Sequence, residues 1–172
     1  MNAQPSRQTA PARQPAQSAG ALLRLADYLP YRLSTASNAV SRLIARAYED
    51  RFGLAIPEWR LICVLAEEGE ATQAGLVVRS GMDKVTVSRA AAGLARRRLV
   101  ERRRNPADGR SQVLALSAAG ASLHAEVAPL ALAYEAALIS GLAPDEVAQL
   151  KRLLARLQSA AAALAGEPAP AR

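Results

Sequence analysis

The chain is 172 residues long, which predicts one core, in a single domain or a domain with appended helices, and disfavours a multidomain enzyme. Hydrophobic residues make up 51% of the chain but aromatic residues only 3%, so the core must be built from Ala, Leu and Val, a composition that favours helices. The net charge of +7 favours a polyanionic partner, with nucleic acid as the first choice.

Single copies of cysteine and histidine restrict the chemistry of the chain. Cys63 has no partner for an internal disulfide, which fits a reducing, cytoplasmic setting, and His124 alone cannot build a zinc site. We see no nucleophile with a matching base and no glycine-rich phosphate loop, so we expect no catalytic residues, metal or cofactor. We expect no membrane partner either, because no stretch approaches the roughly 20 apolar residues of a membrane span.

The predicted elements begin with a tail and a long helix. Residues 1–20 are rich in Ala, Gln, Pro and Ser and lack an apolar period, which predicts disorder. Apolar residues at steps of three and four then predict a helix from about Pro30 to Phe52. Residues 21–56 are therefore an N-terminal helical region.

A buried helix beginning near Pro57 is followed by two short helices joined by a tight turn. Thr72 is the expected N-cap of the first short helix, which ends near Gly81, and Asp83 is the expected N-cap of the second, which runs to about Arg98. This arrangement predicts a helix-turn-helix.

A hairpin is predicted next. Residues 99–104 and 111–116 have the pattern of short strands, and the loop at 105–110 contains a proline and an Asp-Gly turn. The loop also ends in an arginine, so we expect a basic hairpin tip. We assign residues 57–116 to one DNA-binding domain.

Two further helices are predicted beyond the hairpin. Ser117 is the expected cap of a helix to about Ser140 that Pro129 should kink, and Pro144 begins the last helix. Apolar residues in that last helix recur at an average of 3.5, which is typical of helices that pack side by side; they are Val147, Leu150, Leu154, Leu157, Ala161 and Leu164. We assign residues 117–165 to C-terminal dimerisation helices and 166–172 to a frayed tail.

The positive charge is concentrated in the second short helix and the hairpin. Between Lys84 and Arg110, nine basic and two acidic residues give the whole net charge of the chain. We expect the outward helix face to enter the major groove, with Arg89 reading guanine. At the hairpin tip, Asp108 is placed to orient Arg110 toward a narrow, negative groove.

The expected DNA contacts lie at the starts of the two short helices and on the hairpin; they are Thr72, Gln73, Lys84, Thr86, Ser88, Arg89, Arg104, Asp108 and Arg110. Thr72 and Gln73 would lie near phosphates, because free backbone N–H groups at a helix start favour anions. Simpler alternatives stay open, since these charges could only solubilise a surface and Thr72 could be only a cap.

Residues 29–158 resemble the MarR family of winged helix-turn-helix regulators. The resemblance is carried by FGLAIPEWRLICVL at 52–65, by SGMDKVTVSRAAAGLARRRLVERR at 80–103, and by NPADGRSQVLALSAAG at 105–120 with its Asp-x-Arg wing pattern. It implies a mainly α fold, a winged helix-turn-helix with a short β-hairpin wing, and flanking dimerisation helices at residues 21–56 and 117–165. It further implies a homodimer on a pseudo-palindromic operator, with Thr86 and Arg89 in the major groove and Arg110 in the minor groove.

Similar regulators repress transcription and are released by a small ligand, often an aromatic or heteroaromatic carboxylate or its coenzyme A thioester. The resemblance implies a cleft between the dimerisation helices and the winged domain, for which the candidate residues are Tyr31, Arg32, Asn38, Trp59, Met82 and His124. A carboxylate favours Arg32 or His124, and a flat ring favours Trp59 or Met82. Core positions for Trp59 and Met82, and a surface position for His124, are the alternatives.

Two other functions stay open at this stage. One is a DNA-binding regulator or architectural protein without an effector, and the other is a thiol redox sensor that uses Cys63. The neighbours of Cys63 are apolar and no cation is adjacent, which should raise the pKa of its thiol and keep it inert. We expect a cytoplasmic protein associated with the nucleoid.

Overall fold

The computed structural model describes residues 22–105, 108 and 111–166. The predicted tail at 1–20, the residues after Gly166 and the wing residue Arg110 therefore lie outside the described residues. The chain separates after Ser37 into two compact units. In the first unit, residues 22–37 are all exposed, including several large apolar side chains.

The elements follow in chain order as α1 (Leu29–Phe52), α2 (Ile56–Glu68), β1 (Glu70–Thr72), α3 (Gln73–Ser80), α4 (Lys84–Arg96), β2 (Val100–Arg104), β3 (Gln112–Leu116), α5 (Ala118–Ile139) and α6 (Pro144–Ala165). The predicted helices and both hairpin strands are present within about two residues of their expected bounds. The mainly α fold with a winged helix-turn-helix is confirmed.

Three side chains cap the helices that the sequence assigned to them. Thr72 Oγ1 accepts a hydrogen bond from Gly75 N at 3.1 Å, and Ser117 Oγ accepts one from Gly120 N at 3.0 Å. Asp83 caps α4 in the same way. Each cap satisfies a backbone donor that has no partner within its own helix, which fixes where the helix begins.

The predicted hairpin of β2 and β3 is present, and a third strand that the sequence did not indicate extends it to a three-stranded sheet in the order β1-β3-β2. β1 pairs antiparallel with β3, with Ala71 opposite Leu114. The sequence does not indicate β1, because three residues are too few to show the alternating pattern of a strand. Its partner strand β3 lies some 40 residues further along the chain. Since β1 ends at Thr72, the sheet connects the wing directly to the start of α3.

The core of the second unit is formed by α2, α3, α4 and the sheet. The stripe predicted for α4 is confirmed, since Val87, Ala91 and Leu94 are buried. The predicted burial of α2 is confirmed as well, because four of the five apolar residues that predicted it are buried and Trp59 is half-buried; the buried ones are Leu61, Ile62, Val64 and Leu65. This packing presents the opposite face of α4 to solvent.

The two C-terminal helices contribute little to this core. Within the described part of the chain, no α6 residue is buried, and α5 buries only Gly120 and Val127. α5 continues as one helix across Pro129. None of the described helices is long and apolar enough to cross a membrane by itself; α5 and α6, which are bent by 105°, pass that test only as a pair.

Candidate functional site

The outward face of α4 is the first part of the candidate site. Val85, Ser88, Arg89 and Ala92 recur at i, i+3, i+4 and i+7, so they share one helix face. The first three are exposed, and Ala92 is half-buried. Arg89 makes no hydrogen bond or ion pair to any residue that the structure describes, so its guanidinium is available to a partner.

A carboxylate cap orders the first turn of this face. Asp83 Oδ2 accepts a hydrogen bond from the Thr86 hydroxyl at 2.6 Å, and Asp83 Oδ1 accepts one from Thr86 N at 2.8 Å. These two bonds, the hydroxyl one first, hold the pKa of Asp83 below its usual range because they favour the carboxylate. The Thr86 hydroxyl proton is therefore engaged, which leaves the methyl group and an oxygen lone pair of this residue for other contacts.

A polar cavity of about 590 Å³ lies between the start of α3 and the wing; its lining is Thr72, Gln73, Ala74, Arg102, Asn105, Asp108, Ser111, Gln112 and Leu114. Three residues predicted to contact DNA, Thr72, Gln73 and Asp108, are thus brought together. The cavity also contains Arg102, which sequence reasoning did not select among three successive arginines. Its position across β3 from β1 could only have been found from the sheet register.

Hydrogen bonds within the wing shape this cavity. Asn105 Nδ2 donates to Ser111 Oγ at 2.8 Å, and Asn105 N donates to the Ser111 carbonyl oxygen at 3.1 Å. On β2, Arg103 forms an ion pair with Glu101 at 3.0 Å, so part of the basic charge is neutralised on the strand itself. Arg104, a predicted DNA contact, is exposed at the end of β2.

Arg97 turns away from the predicted DNA face. Its Nη1 donates to the Gly53 carbonyl oxygen at 2.7 Å and its Nη2 to the Phe52 carbonyl oxygen at 2.8 Å. The same guanidinium lies 3.7 Å from Glu58 Oε2. Arg97 therefore connects the C-terminal end of α4 to the C-terminal end of α1 and to the first turn of α2, and it is a structural member of the basic cluster.

Two of the candidate effector residues, Trp59 and His124, are brought together. The rings of Trp59 and His124 stack with centroids 5.5 Å apart and an interplanar angle of 21°, and Tyr48 meets Trp59 edge-on at 5.5 Å. Three helices, α1, α2 and α5, thus contribute one aromatic cluster. Met82 is half-buried and packs against the core.

The remaining effector candidates, Tyr31, Arg32 and Asn38, lie on α1. Tyr31 and Arg32 belong to the first compact unit, and Asn38 is an exposed residue at the start of the second. A second groove of about 360 Å³ lies between α3 and α4. The described lining of this groove and of the larger cavity contains none of the six candidate effector residues.

The thiol of Cys63 is poorly suited to redox chemistry. Burial, and then the nearby negative charge of Glu67, raise the pKa of Cys63 to about 11, as the apolar neighbours predicted. The thiolate is the reactive form, so the native thiol is protected at neutral pH.

We therefore expect iodoacetamide to alkylate native Cys63 about a hundredfold more slowly than the urea-unfolded chain at about pH 8, because a thiol that titrates near 11 rather than 9.0 carries that much less thiolate. Quenched samples analysed by mass spectrometry give both rates. Equal rates in the two states would show that the thiol is accessible and ionised, and would restore Cys63 as a sensor candidate.

Comparisons with known proteins agree with this geometry. Residues 52–111, which run from the end of α1 into the wing, match the model of the MarR family. A MarR family transcriptional regulator from Silicibacter pomeroyi DSS is 27% identical, with 77% of this chain and 88% of that chain covered and a TM-score of 0.67. Among curated proteins, no sequence matches this chain.

Two further solved structures share the fold. BpsR of Bordetella bronchiseptica, whose DNA binding is regulated by 6-hydroxynicotinic acid, is 22% identical over 80% of this chain and 97% of its own, with a TM-score of 0.74. A mutant of Escherichia coli MarR complexed with operator DNA is 22% identical over 75% and 92%, with a TM-score of 0.68. The family model matches the helix-turn-helix, and a MarR family regulator that is 27% identical has the same fold, so this chain is similar to the MarR family of transcriptional regulators.

Proposed function

We propose that the chain is a homodimeric, sequence-specific repressor that binds a pseudo-palindromic operator and is released by a small aromatic or heteroaromatic carboxylate or its coenzyme A thioester. The observation that carries the proposal is the exposed face of α4, where Arg89 has no hydrogen-bond or ion-pair partner among the described residues, together with the polar cavity between α3 and the wing. The operator complex of the Escherichia coli MarR mutant supports the same use of this fold.

The homodimer is supported by apolar surface that a single chain leaves in water. Leu150, Leu154 and Leu157 of α6 are between 39% and 44% exposed, and Leu132 and Leu138 of α5 are at least half exposed. Soluble monomers rarely leave contiguous apolar surface of this extent uncovered. A second copy of α5 and α6 would bury it, and two-fold symmetry would place two α4 helices about one turn of DNA apart.

The effector is supported by the stack of Trp59 on His124. A flat ring that enters beside the stack would be held by the indole, and a carboxylate would be held by the imidazole. The regulation of BpsR by 6-hydroxynicotinic acid supports the same chemical class for a protein of this fold.

The first test measures selective binding. Arg89→Ala should weaken binding to an operator selected from random duplexes by roughly 5- to 150-fold per half-site, because a bidentate Arg–guanine contact contributes about 1–3 kcal/mol. Binding to scrambled DNA should change far less. Fluorescence anisotropy at one fixed salt concentration measures both affinities.

Arg60→Ala is the matched control, since it removes an exposed arginine from α2 rather than from α4. Equal losses on operator and scrambled DNA would make Arg89 a phosphate contact. A wild-type protein without any operator preference would overturn the proposed function itself.

The effector is tested in the same assay. A panel of aromatic acids, including 6-hydroxynicotinic acid, and of their coenzyme A thioesters should contain a compound that dissociates the wild-type complex. His124→Ala should bind the operator normally while needing more of that compound. Glu126→Ala, an exposed change two residues along α5, is the control. If no acid or thioester in the panel releases the DNA, the chain is a regulator without such an effector.

A further inference from the structure

Val85 is an apolar side chain at the point of α4 where the proposed function places base recognition. It is the second residue of the helix and 58% exposed, whereas Val87, two residues later, is 1% exposed in the core. Val85 does not pack against the core cluster. Most of its isopropyl group therefore remains exposed to water, and folding of the single chain gains little free energy from burying it.

The neighbours of Val85 define the surface it belongs to. Ser88 and Arg89, at i+3 and i+4, lie on either side of the line that connects Val85 to Ala92 along the helix. Val85 is therefore central on the outward face and lies in its first turn. In helix-turn-helix proteins, the N-terminal residues of the recognition helix reach the base edges.

Only one feature of the base edges in the major groove is complementary to an apolar side chain. Guanine, cytosine and adenine present hydrogen-bond donors and acceptors there, which a valine cannot satisfy and would desolvate. Thymine adds a C5-methyl group, an apolar contact that two branched methyl groups can cover. Arg89, beside Val85 on the same face, can hydrogen-bond the neighbouring base or its phosphate.

We propose that Val85 determines specificity by packing against the C5-methyl group of one thymine in each operator half-site. The proposal rests on the proposed function, because it requires that α4 enters the major groove. The proposal adds an apolar residue to a set of expected DNA contacts that were chosen for charge and hydrogen bonding.

The test replaces thymine by deoxyuridine, one position at a time, in the selected operator, which removes the methyl group and leaves every hydrogen bond of the base pair. For the wild-type protein, one substitution per half-site should weaken binding roughly fourfold, the ratio that corresponds to burial of one methyl-sized group. For Val85→Ala, the same substitution should have no effect. Alanine is a better helix former than valine, so the variant will keep its fold.

Val78→Ala is the matched control, because Val78 is 62% exposed and lies on α3. This variant should keep the wild-type preference for thymine over deoxyuridine. Operator selectivity without a deoxyuridine effect at any position would overturn the assignment and leave the proposed function intact. Loss of the preference in Val78→Ala instead of Val85→Ala would overturn it too, while failure to select any operator would count against the proposed function.

Discussion

Replacing Gly120 by alanine is expected to lower the free energy of unfolding by about 3 kcal/mol, the upper end of the range for an overpacked core. A Cβ atom on Gly120 would overlap the Leu99 carbonyl oxygen and would stand 3.3 Å from Leu116 Cδ2. The backbone cannot yield easily, because Ser117 N donates to the same Leu99 oxygen at 3.1 Å and Ser117 Oγ donates to the Arg98 carbonyl oxygen at 2.7 Å.

Gly141→Ala is the control for this substitution, since an added Cβ there meets no described atom within 4 Å. Its stability should be unchanged or raised by up to about 1 kcal/mol, because alanine restricts the unfolded chain. Urea denaturation followed by circular dichroism measures both variants, at one protein concentration because a dimer couples folding to association. If Gly120→Ala unfolds at the wild-type urea concentration, α5 does not approach Leu99 as closely as the structure places it.

Replacing Leu154 and Leu157 together by aspartate is expected to convert the protein to monomers and to abolish operator binding at concentrations that saturate the wild type. Both leucines lie on the apolar seam of α6 and are about 40% exposed in the single chain. In a dimer they would be buried, where an unpaired carboxylate is far more costly than a leucine. Sedimentation velocity measures the association state, and anisotropy measures the DNA binding.

A double change of Ala148 and Ala155 to aspartate adds the same charge to the opposite face of α6. It should leave a dimer that still binds DNA. Persistent dimers of the Leu154 and Leu157 variant would show that the seam packs within one chain and that the two-fold interface lies elsewhere.

The elements that the sequence predicted well are those fixed by neighbouring residues. The caps at Thr72, Asp83 and Ser117 act over three positions, and the buried stripe of α4 follows from its period, so both are visible in the sequence. Strand β1 is not, because Glu70–Thr72 is ordered only by pairing with β3.

The candidate site shows the same division. Arg89 could be selected from charge and helical period, and it lies on an exposed face as expected. Arg97 could not be separated from its basic neighbours, since the carbonyl oxygens that it binds are 44 and 45 residues away. The proposed specificity residue Val85 was missed for a different reason. Charge and hydrogen-bonding capacity do not distinguish an apolar residue, even when its helical position predicts that it faces outward.

Arg97 fixes the C-terminal end of α4, which is the end farther from Val85. It attaches α4 by its C-terminal end to the last carbonyls of α1, and the adjacent Gly93 leaves no room for a side chain beside Glu58 of α2. Thirteen helical residues span about 20 Å, so a tilt of about 10° about this attachment would sweep Val85 and its neighbours through about 3 Å. That is close to the rise of one base pair. If α4 enters the major groove as we propose, a small displacement of α1 would therefore be enough to move the N-terminal end of α4 out of register with the bases.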